Sequence, residues 1–387
     1  MSDAPEKPSS RNDRVAQVLS RVFGSEVRVI EAERLGAWAV ARCRLAGEGP
    51  GLPTSVIVKW LRGDGTDQRR NPAQLHTECA ALGFLADVDA TLAPRLLAAD
   101  LPSDDPGGGF LVLEDLGALE PLREVVLRDG AQLSRPRLAD YAAAFGRLHA
   151  VTRGRTRIYY ERRARLGPID PGADVAHVLG QWRDGVRHTA HIGAAMDATA
   201  ERELAGVVAA VSEPGPFLAF SNGDCGLNNF LVAPEGGGRV IDFEAAGFRH
   251  VVADVVGDFY LPGPMWLTLD DPVRNGMEAA YRKALAEAVP ESTDDRVYGE
   301  AVAGGALLYA LRRLATLPTM DARPVGDHSR LHRVATLEAA AGTAELRRSL
   351  PGLAGWARTA AALLRRRWPD ADVDLAALGA YTPRGYV

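Results

Sequence analysis

The stretch from Phe220 to Glu244 constrains this chain more than any other. A polar loop, Ser221-Asn-Gly-Asp-Cys-Gly-Leu-Asn-Asn229, runs into the apolar segment Phe230-Leu-Val232. The sequence Pro234-Glu-Gly-Gly-Gly238 interrupts the run, and a second apolar segment, Val240-Ile241, ends on Asp242-Phe-Glu244. Two short apolar runs around a Gly-rich break predict a β-hairpin, which returns its outer ends to one edge. Asp224 and Asn229 precede the first strand, and Asp242 and Glu244 close the second. The hairpin is therefore expected to gather hard oxygen ligands, the kind that Mg2+ takes alongside phosphates.

A chain of 387 residues can bury a large core and favours two lobes over one. A net charge of −5 argues against a nucleic-acid partner, which would call for a basic excess. No apolar run reaches the roughly 18 residues of a membrane span, and the N-terminus lacks a signal-like apolar core. A cytoplasmic chain with no membrane contact is expected. Cys43, Cys79 and Cys225 have no metal-site spacing, and their odd number does not suggest a disulfide framework. Reduced thiols are the simpler expectation. Residues 1–12, polar and with two prolines, are expected to be a disordered tail.

Lysine is rare here: Lys7, Lys59 and Lys283 are the only ones. Lys59 lies in Val56-Ile-Val-Lys-Trp60, the third of three β-rich runs (27–32, 37–45 and 55–61) separated by turn signals. An antiparallel meander is expected. A lysine on an alternating strand can simply face solvent, so Lys59 alone decides nothing. A helix over 74–85 follows, carrying Glu78, then an apolar strand from Phe110 that opens into Glu114-Asp-Leu-Gly117. From there the pattern is helical: a helix ending near His149, a stretch over 174–211, and most of 272–367. His149 reads as a packed, hydrogen-bonded histidine. The arginines from Arg153 to Arg165 read as a solvated surface, with recognition of an anionic substrate or partner as the alternative.

Gly223-Asp224, four residues, Asn229, a hairpin and Ile241-Asp242-Phe243-Glu244 together resemble the aminoglycoside phosphotransferase and choline kinase-like family, a branch of the protein kinase fold. The resemblance spans about residues 27–254. It implies an α+β, bilobal protein kinase-like fold with a small β-rich N-lobe and a larger, mostly helical C-lobe. Residues 13–116 would form the nucleotide-binding lobe with its hinge, and residues 117–387 the catalytic and substrate lobe. The activity implied is ATP- and Mg2+-dependent transfer of phosphate to the hydroxyl of a small molecule.

Residue by residue, the resemblance makes Asp224 the catalytic base and assigns Asn229 and Asp242 to Mg2+. Lys59, partnered by Glu78, would bind the nucleotide phosphates. Gly36 would turn over those phosphates, and Glu114 and Leu116 would present hinge backbone to the adenine. Glu244 would orient a metal-bound water or meet a cationic substrate. Asn222 and Asp254 would support the loop.

One position departs from the pattern. The family has His where this chain has Asn222. That difference motivates an alternative from another class, a nucleotide-binding pseudokinase that acts through a protein partner. Glu244, Asp258, Asp270 and Asp271 favour a cationic acceptor, while the arginine run pulls the other way. The sequence leaves the acceptor open among antibiotic, amino alcohol, sugar and nucleoside, and it leaves the oligomeric state open too.

Overall fold

In the computed structural model the described residues are 8–35, 39–61, 72–101, 109–117, 119–263, 271–324 and 328–372. The first elements are α1 (Pro8–Phe23), β1 (Val27–Arg34), β2 (Val40–Gly47), β3 (Ser55–Trp60), α2 (Pro72–Asp89), β4 (Leu96–Asp100) and β5 (Phe110–Glu114). There follow β6 (Glu120–Pro121), α3 (Leu122–Asp129), α4 (Arg135–Thr152), α5 (Thr156–Ala164), α6 (Ala173–His191) and α7 (Ala198–Ser212). Next come β7 (Leu218–Ser221), β8 (Phe230–Val232), β9 (Gly238–Val240), β10 (Gly247–His250) and α8 (Val251–Phe259). The chain continues through α9 (Asp271–Leu285), α10 (Asp295–Arg313), α11 (Leu317–Asp321), α12 (His328–Leu346) and α13 (Pro351–Arg367). These elements form two compact units. One contains residues 1–119, 157–169 and 239–246; the other contains 120–156, 170–238 and 247–387.

The first unit is built on an antiparallel sheet of order β1-β2-β3-β5-β4. Strand alternation sorts its faces. Val27, Ala41, Cys43, Leu45, Val56 and Val58 are buried on one face, against Val15 and Leu19 of α1. The tail expected to be disordered through residue 12 therefore enters a helix at Pro8. It is anchored there by the Arg11 guanidinium over Trp60, 5.9 Å from the ring centroid, and by an Arg14–Asp100 ion pair of 2.8 Å. Lys59 alternates with Val56 and Val58, so it leaves the sheet on the opposite face and is paired between Val40 and Leu111.

Two later segments join this unit. Tyr159 of α5 packs edge-on against Phe84 of α2 at 5.7 Å and donates to Ala246 O at 3.1 Å. Val240 N–H donates to Leu92 O at 2.9 Å. Arg163, in the run expected to be solvated, is only 1% exposed. Its guanidinium donates to Thr77 Oγ1, Gly167 O and Ala73 O, so it is a tie between α5 and α2.

The second unit is mostly helical. The stretch expected to be helical over 174–211 breaks at 192–197, where Asp197 caps α7 by accepting from the Thr199 and Ala200 amides. β7 and β10 pair antiparallel, with Phe220 opposite Phe248. Helix α10 carries Gly304 and Gly305 in its buried centre. A Cβ on Gly305 would stand 2.8 Å from Ala253 Cα of α8, and one on Gly304 would stand 3.0 Å from Val207 of α7. The glycines permit close helix approach. Gly305→Ala gains about 1 kcal/mol of helix propensity, but it pushes against backbone at a cost of about 1–3 kcal/mol. The expected outcome is a net loss of up to about 2 kcal/mol, read as a lower urea midpoint at unchanged slope.

Candidate active site

In the first unit, β3 and α2 bring Lys59 and Glu78 together. Lys59 Nζ lies 2.6 Å from Glu78 Oε2, 2.5 Å from Asp242 Oδ1 and 3.0 Å from Glu244 Oε2. Exposure is graded across the cluster. The Glu78 side chain is 2% exposed and that of Lys59 15%, while Asp242 and Glu244 are 36% and 38% exposed. One ammonium among three carboxylates leaves an excess of negative charge. Although burial alone would lower the Lys59 pKa, its three acidic neighbours raise it well above the ordinary lysine value. Burial pushes the Glu78 carboxyl up against the pull of Lys59, and the neighbouring Asp242 and Glu244 add to the rise. Phe243 N–H donates to the other oxygen of Glu78 at 3.4 Å. Oxygens of Glu78, Asp242 and Glu244 all lie within 4.8 Å of one another.

Asp242 has φ +63°, in the left-handed region that a residue with a side chain rarely occupies. The Asp-Phe-Glu segment therefore turns sharply, and Ala246 N–H closes the turn on Phe243 O at 3.1 Å. Strain of this kind persists where surrounding contacts over-determine the backbone. The buried Phe243 ring and the Lys59 ion pair do so here.

At the expected hinge, Glu114 ends β5 and accepts from Arg95 N–H at 3.1 Å, while Leu116 O accepts from Leu119 N–H. Sequence reasoning passed over the residue between them. Asp115 accepts from Arg42 Nε at 2.8 Å, Ser55 Oγ at 2.7 Å and Gly117 N–H at 3.0 Å. Despite burial, these donors hold its carboxyl below the usual carboxylate range. Asp115 thus fixes the backbone on which Glu114 and Leu116 sit. Gly36 and Asp270 lie outside the described residues.

The Asp224 loop belongs to the second unit. Asn222 is fully buried; its Nδ2 donates to Asp224 O at 2.8 Å, and its Oδ1 accepts from Asp224 N–H at 3.4 Å. Asn229 Nδ2 donates to the same carbonyl at 3.0 Å, while its own oxygen accepts from Asn228 Nδ2 at 2.7 Å. Tyr141 OH donates to Cys225 O. Every one of these bonds grips loop backbone or Asn229, and the Asp224 side chain is left on the exposed side. Asp254 supports the loop through side chains. It accepts from Ser221 Oγ and from Cys225 Sγ, and Ser221 Oγ in turn accepts from Gly223 N–H at 3.0 Å. Burial and the nearby Asp254 and Asp258 raise the Cys225 thiol well above its usual range, which disfavours a thiolate. His149 is fully buried against Tyr281 OH at 2.9 Å and is held neutral, its pKa lowered to about 3 by burial.

Asp258, one of the acidic residues expected near the site, stands one helical turn after Asp254. Its carboxyl is raised to about 7, by burial first and then by Asp224 and Asp254. A carboxyl whose folded pKa lies above its unfolded value of 3.8 is stabilising when protonated. That stability is complete below about pH 4 and is lost as pH rises toward 7. Asp258→Asn should therefore be more stable than the parent at pH 8, by about 2 kcal/mol, with the difference closing by pH 4. Urea midpoints at the two pH values check this.

The sequence profile of the phosphotransferase enzyme family matches residues 64–294, which include Glu78, Asp224, Asn229, Asp242 and Asp258 but not Lys59. No curated protein matches the chain significantly. Among solved structures, the choline kinase LicA from Streptococcus pneumoniae is 13% identical, with 85% of this chain and 98% of that one covered and a TM-score of 0.46. An aminoglycoside phosphotransferase from Alicyclobacillus acidocaldarius is 14% identical, with 95% and 98% covered and a TM-score of 0.46. The macrolide 2'-phosphotransferase MphH from Brachybacterium faecium is 17% identical, with 86% and 97% covered and a TM-score of 0.44. No helix among the described residues is long and apolar enough to cross a membrane. The family profile covers well over half of the chain, and the α+β architecture is that of the protein kinase-like fold: the chain belongs to the phosphotransferase enzyme family.

Proposed function

We propose that this phosphotransferase uses ATP and Mg2+ and transfers the γ-phosphate to the hydroxyl of a small molecule. The observation that carries this reading is the Lys59 ammonium held by Glu78, Asp242 and Glu244. A buried carboxylate at its back directs the lysine, and two half-exposed carboxylates lie in front. Lysine is a point charge suited to phosphate. The donor set also fits Mg2+, with hard carboxylate oxygens close enough to share one ion. Asp242 would hold the metal, and the resemblance assigns Asn229 the same role. When bound, Mg2+ neutralises charge on the phosphate oxygens.

Lys59 binds the nucleotide phosphates, and Glu78 keeps it charged and aimed. Asp115 fixes the hinge backbone for the adenine. Asp224 takes the proton of the acceptor hydroxyl as its oxygen bonds to the γ-phosphorus and the bond to the β–γ bridging oxygen breaks, releasing ADP. The reading is tested by incubating the protein with ATP, Mg2+ and pooled hydroxyl compounds, with products weighed by mass spectrometry. A gain of one phosphate that a Mg2+ chelator abolishes is the expected result. Tight ATP binding with no product from any pool would favour the pseudokinase alternative.

A further inference from the structure

The second unit holds a basic cluster that the chemistry above leaves unused. Tyr309 of α10 lies against α8 beside Asp258, because a Cβ on Gly257 would come within 2.8 Å of its ring carbon Cε2. Burial raises the phenol's pKa most; among nearby charges Arg313 and Arg333 favour its ionisation, and Asp258 and Asp224 oppose it. Asp258 itself is influenced by Asp224 and Asp254 and by no described guanidinium. The two charge sets meet at Tyr309 without pairing.

Arg313 sits with Cζ 5.9 Å from the Tyr309 ring centroid, and its buried Nε has no hydrogen-bond partner among the described residues. Arg333 is 9% exposed, and its Nε is likewise without a partner. Its other nitrogens donate to His332 Nδ1 at 3.2 Å and Thr316 Oγ1 at 3.4 Å. A guanidinium always donates, so His332 Nδ1 accepts and Nε2–H donates to Pro262 O at 2.8 Å. Burial lowers the His332 pKa to about 3, so this partner is neutral. Burial lowers the Arg333 pKa most, followed by the neighbouring Arg313 and Arg323, and no ion pair to a carboxylate is formed by Arg333 among the described residues. Burying a guanidinium without a counter-charge is costly. An anion arriving with a ligand would remove that cost.

We propose that Arg313 and Arg333, flanking Tyr309, form an acceptor-side subsite for an anionic group, so that the hydroxyl compound phosphorylated here also carries a carboxylate or a phosphate. The assignment names the acceptor class for the phosphotransfer reading and rests on it for the word acceptor. It reverses the cationic preference expected from Asp258 and its acidic neighbours. Asp224 serves the hydroxyl, and the guanidinium pair serves the tail.

Calorimetry with three small probes tests the subsite: glycerate (hydroxyl and carboxylate), glycerol 3-phosphate (hydroxyl and phosphate) and ethanolamine (hydroxyl and ammonium). At least one of the two anions should bind the wild-type protein more tightly than ethanolamine does. That binding should weaken about 10- to 100-fold in Arg313→Gln and in Arg333→Gln. The tighter of the two anions identifies which charged group the subsite takes. A preference for ethanolamine, neither anion bound, or equal binding by the variants would overturn the proposal. Because a buried residue can be needed for folding, melting is measured for Arg333→Met. It gives up two long hydrogen bonds to uncharged partners, His332 and Thr316, and no described carboxylate, so it should melt within about 5 °C of wild type. A fall of more than about 5 °C would mean that the guanidinium is paired inside the fold, which also overturns the proposal. ADP titrated in parallel separates the two readings, since its failure to bind would sink the nucleotide-dependent activity whatever the anion result.

Discussion

Asp224→Asn is expected to lower phosphoryl transfer by about 10²- to 10⁴-fold while shifting the melting temperature by less than about 2 °C. The two halves of this expectation have separate causes. The described bonds that shape the loop use the backbone of Asp224: Asn222 and Asn229 donate to its carbonyl, and its N–H donates to Asn222. None of these changes when the carboxylate becomes a carboxamide of the same shape. The carboxamide cannot accept the acceptor's proton, so the loss should fall on kcat and leave the acceptor KM close to its parent value. Initial rates with the acceptor found in the mass-shift screen, together with thermal melting, read both quantities. A variant that keeps more than a tenth of its turnover would remove Asp224 from the role of base, and inactivity accompanied by unfolding would make it a loop-former.

Lys59→Met should cost about 3–5 kcal/mol of stability near neutral pH as well as the activity. The methionine fills most of the lysine's volume, so packing changes little. What is lost is the only cation shown among three carboxylates, one of them almost fully buried. The sign of the pH dependence follows from Glu78, whose folded pKa is already raised. Without Lys59 it rises further, and a carboxyl of that kind is stabilising when protonated and destabilising once ionised. The gap between variant and wild type should therefore narrow as pH falls toward 5. Adding Glu78→Gln should recover a large part of the loss at pH 7.5, and the double-mutant cycle would give the coupling of the pair. Urea titrations of the four proteins decide the matter, and a variant as stable as its parent would show that Lys59 is no keystone of the cluster.

The parts of the site legible in the sequence were those governed by local periodicity. The period of two put Lys59 on a strand face opposite Val56 and Val58, and a helical period put Glu78 on the next helix; only the family resemblance paired them. The loop and hairpin were legible because Gly and Asn punctuate them. Other features depend on contacts that no local pattern encodes. Arg163 looks like any other arginine in a basic run, yet it is buried because α5 packs on α2. Asp115 reads as part of a loose junction, but two strands bring Arg42 and Ser55 to it. The left-handed backbone of Asp242 arises from the turn that points its carboxylate at Lys59, and nothing in Ile-Asp-Phe announces it. Arg313 and Arg333 lie on different helices, and only their packing makes them neighbours.

Asn222 has a consequence of its own. A histidine in its place would carry a proton equilibrium near neutrality into the base of the catalytic loop. The carboxamide has none, and it holds both the carbonyl and the N–H of Asp224 by uncharged bonds. The two histidines that feel the Asp254 carboxylate are kept neutral as well, His149 with its pKa lowered to about 3 and His250 to about 4. The carboxamide and the histidines beneath Asp224 thus keep one protonation state from about pH 5 upward, while the Asp258 carboxyl, raised to about 7, titrates beside them. Any fall in turnover across that interval would then report carboxyl groups, Asp258 or the reacting groups themselves, and not a histidine that reshapes the loop.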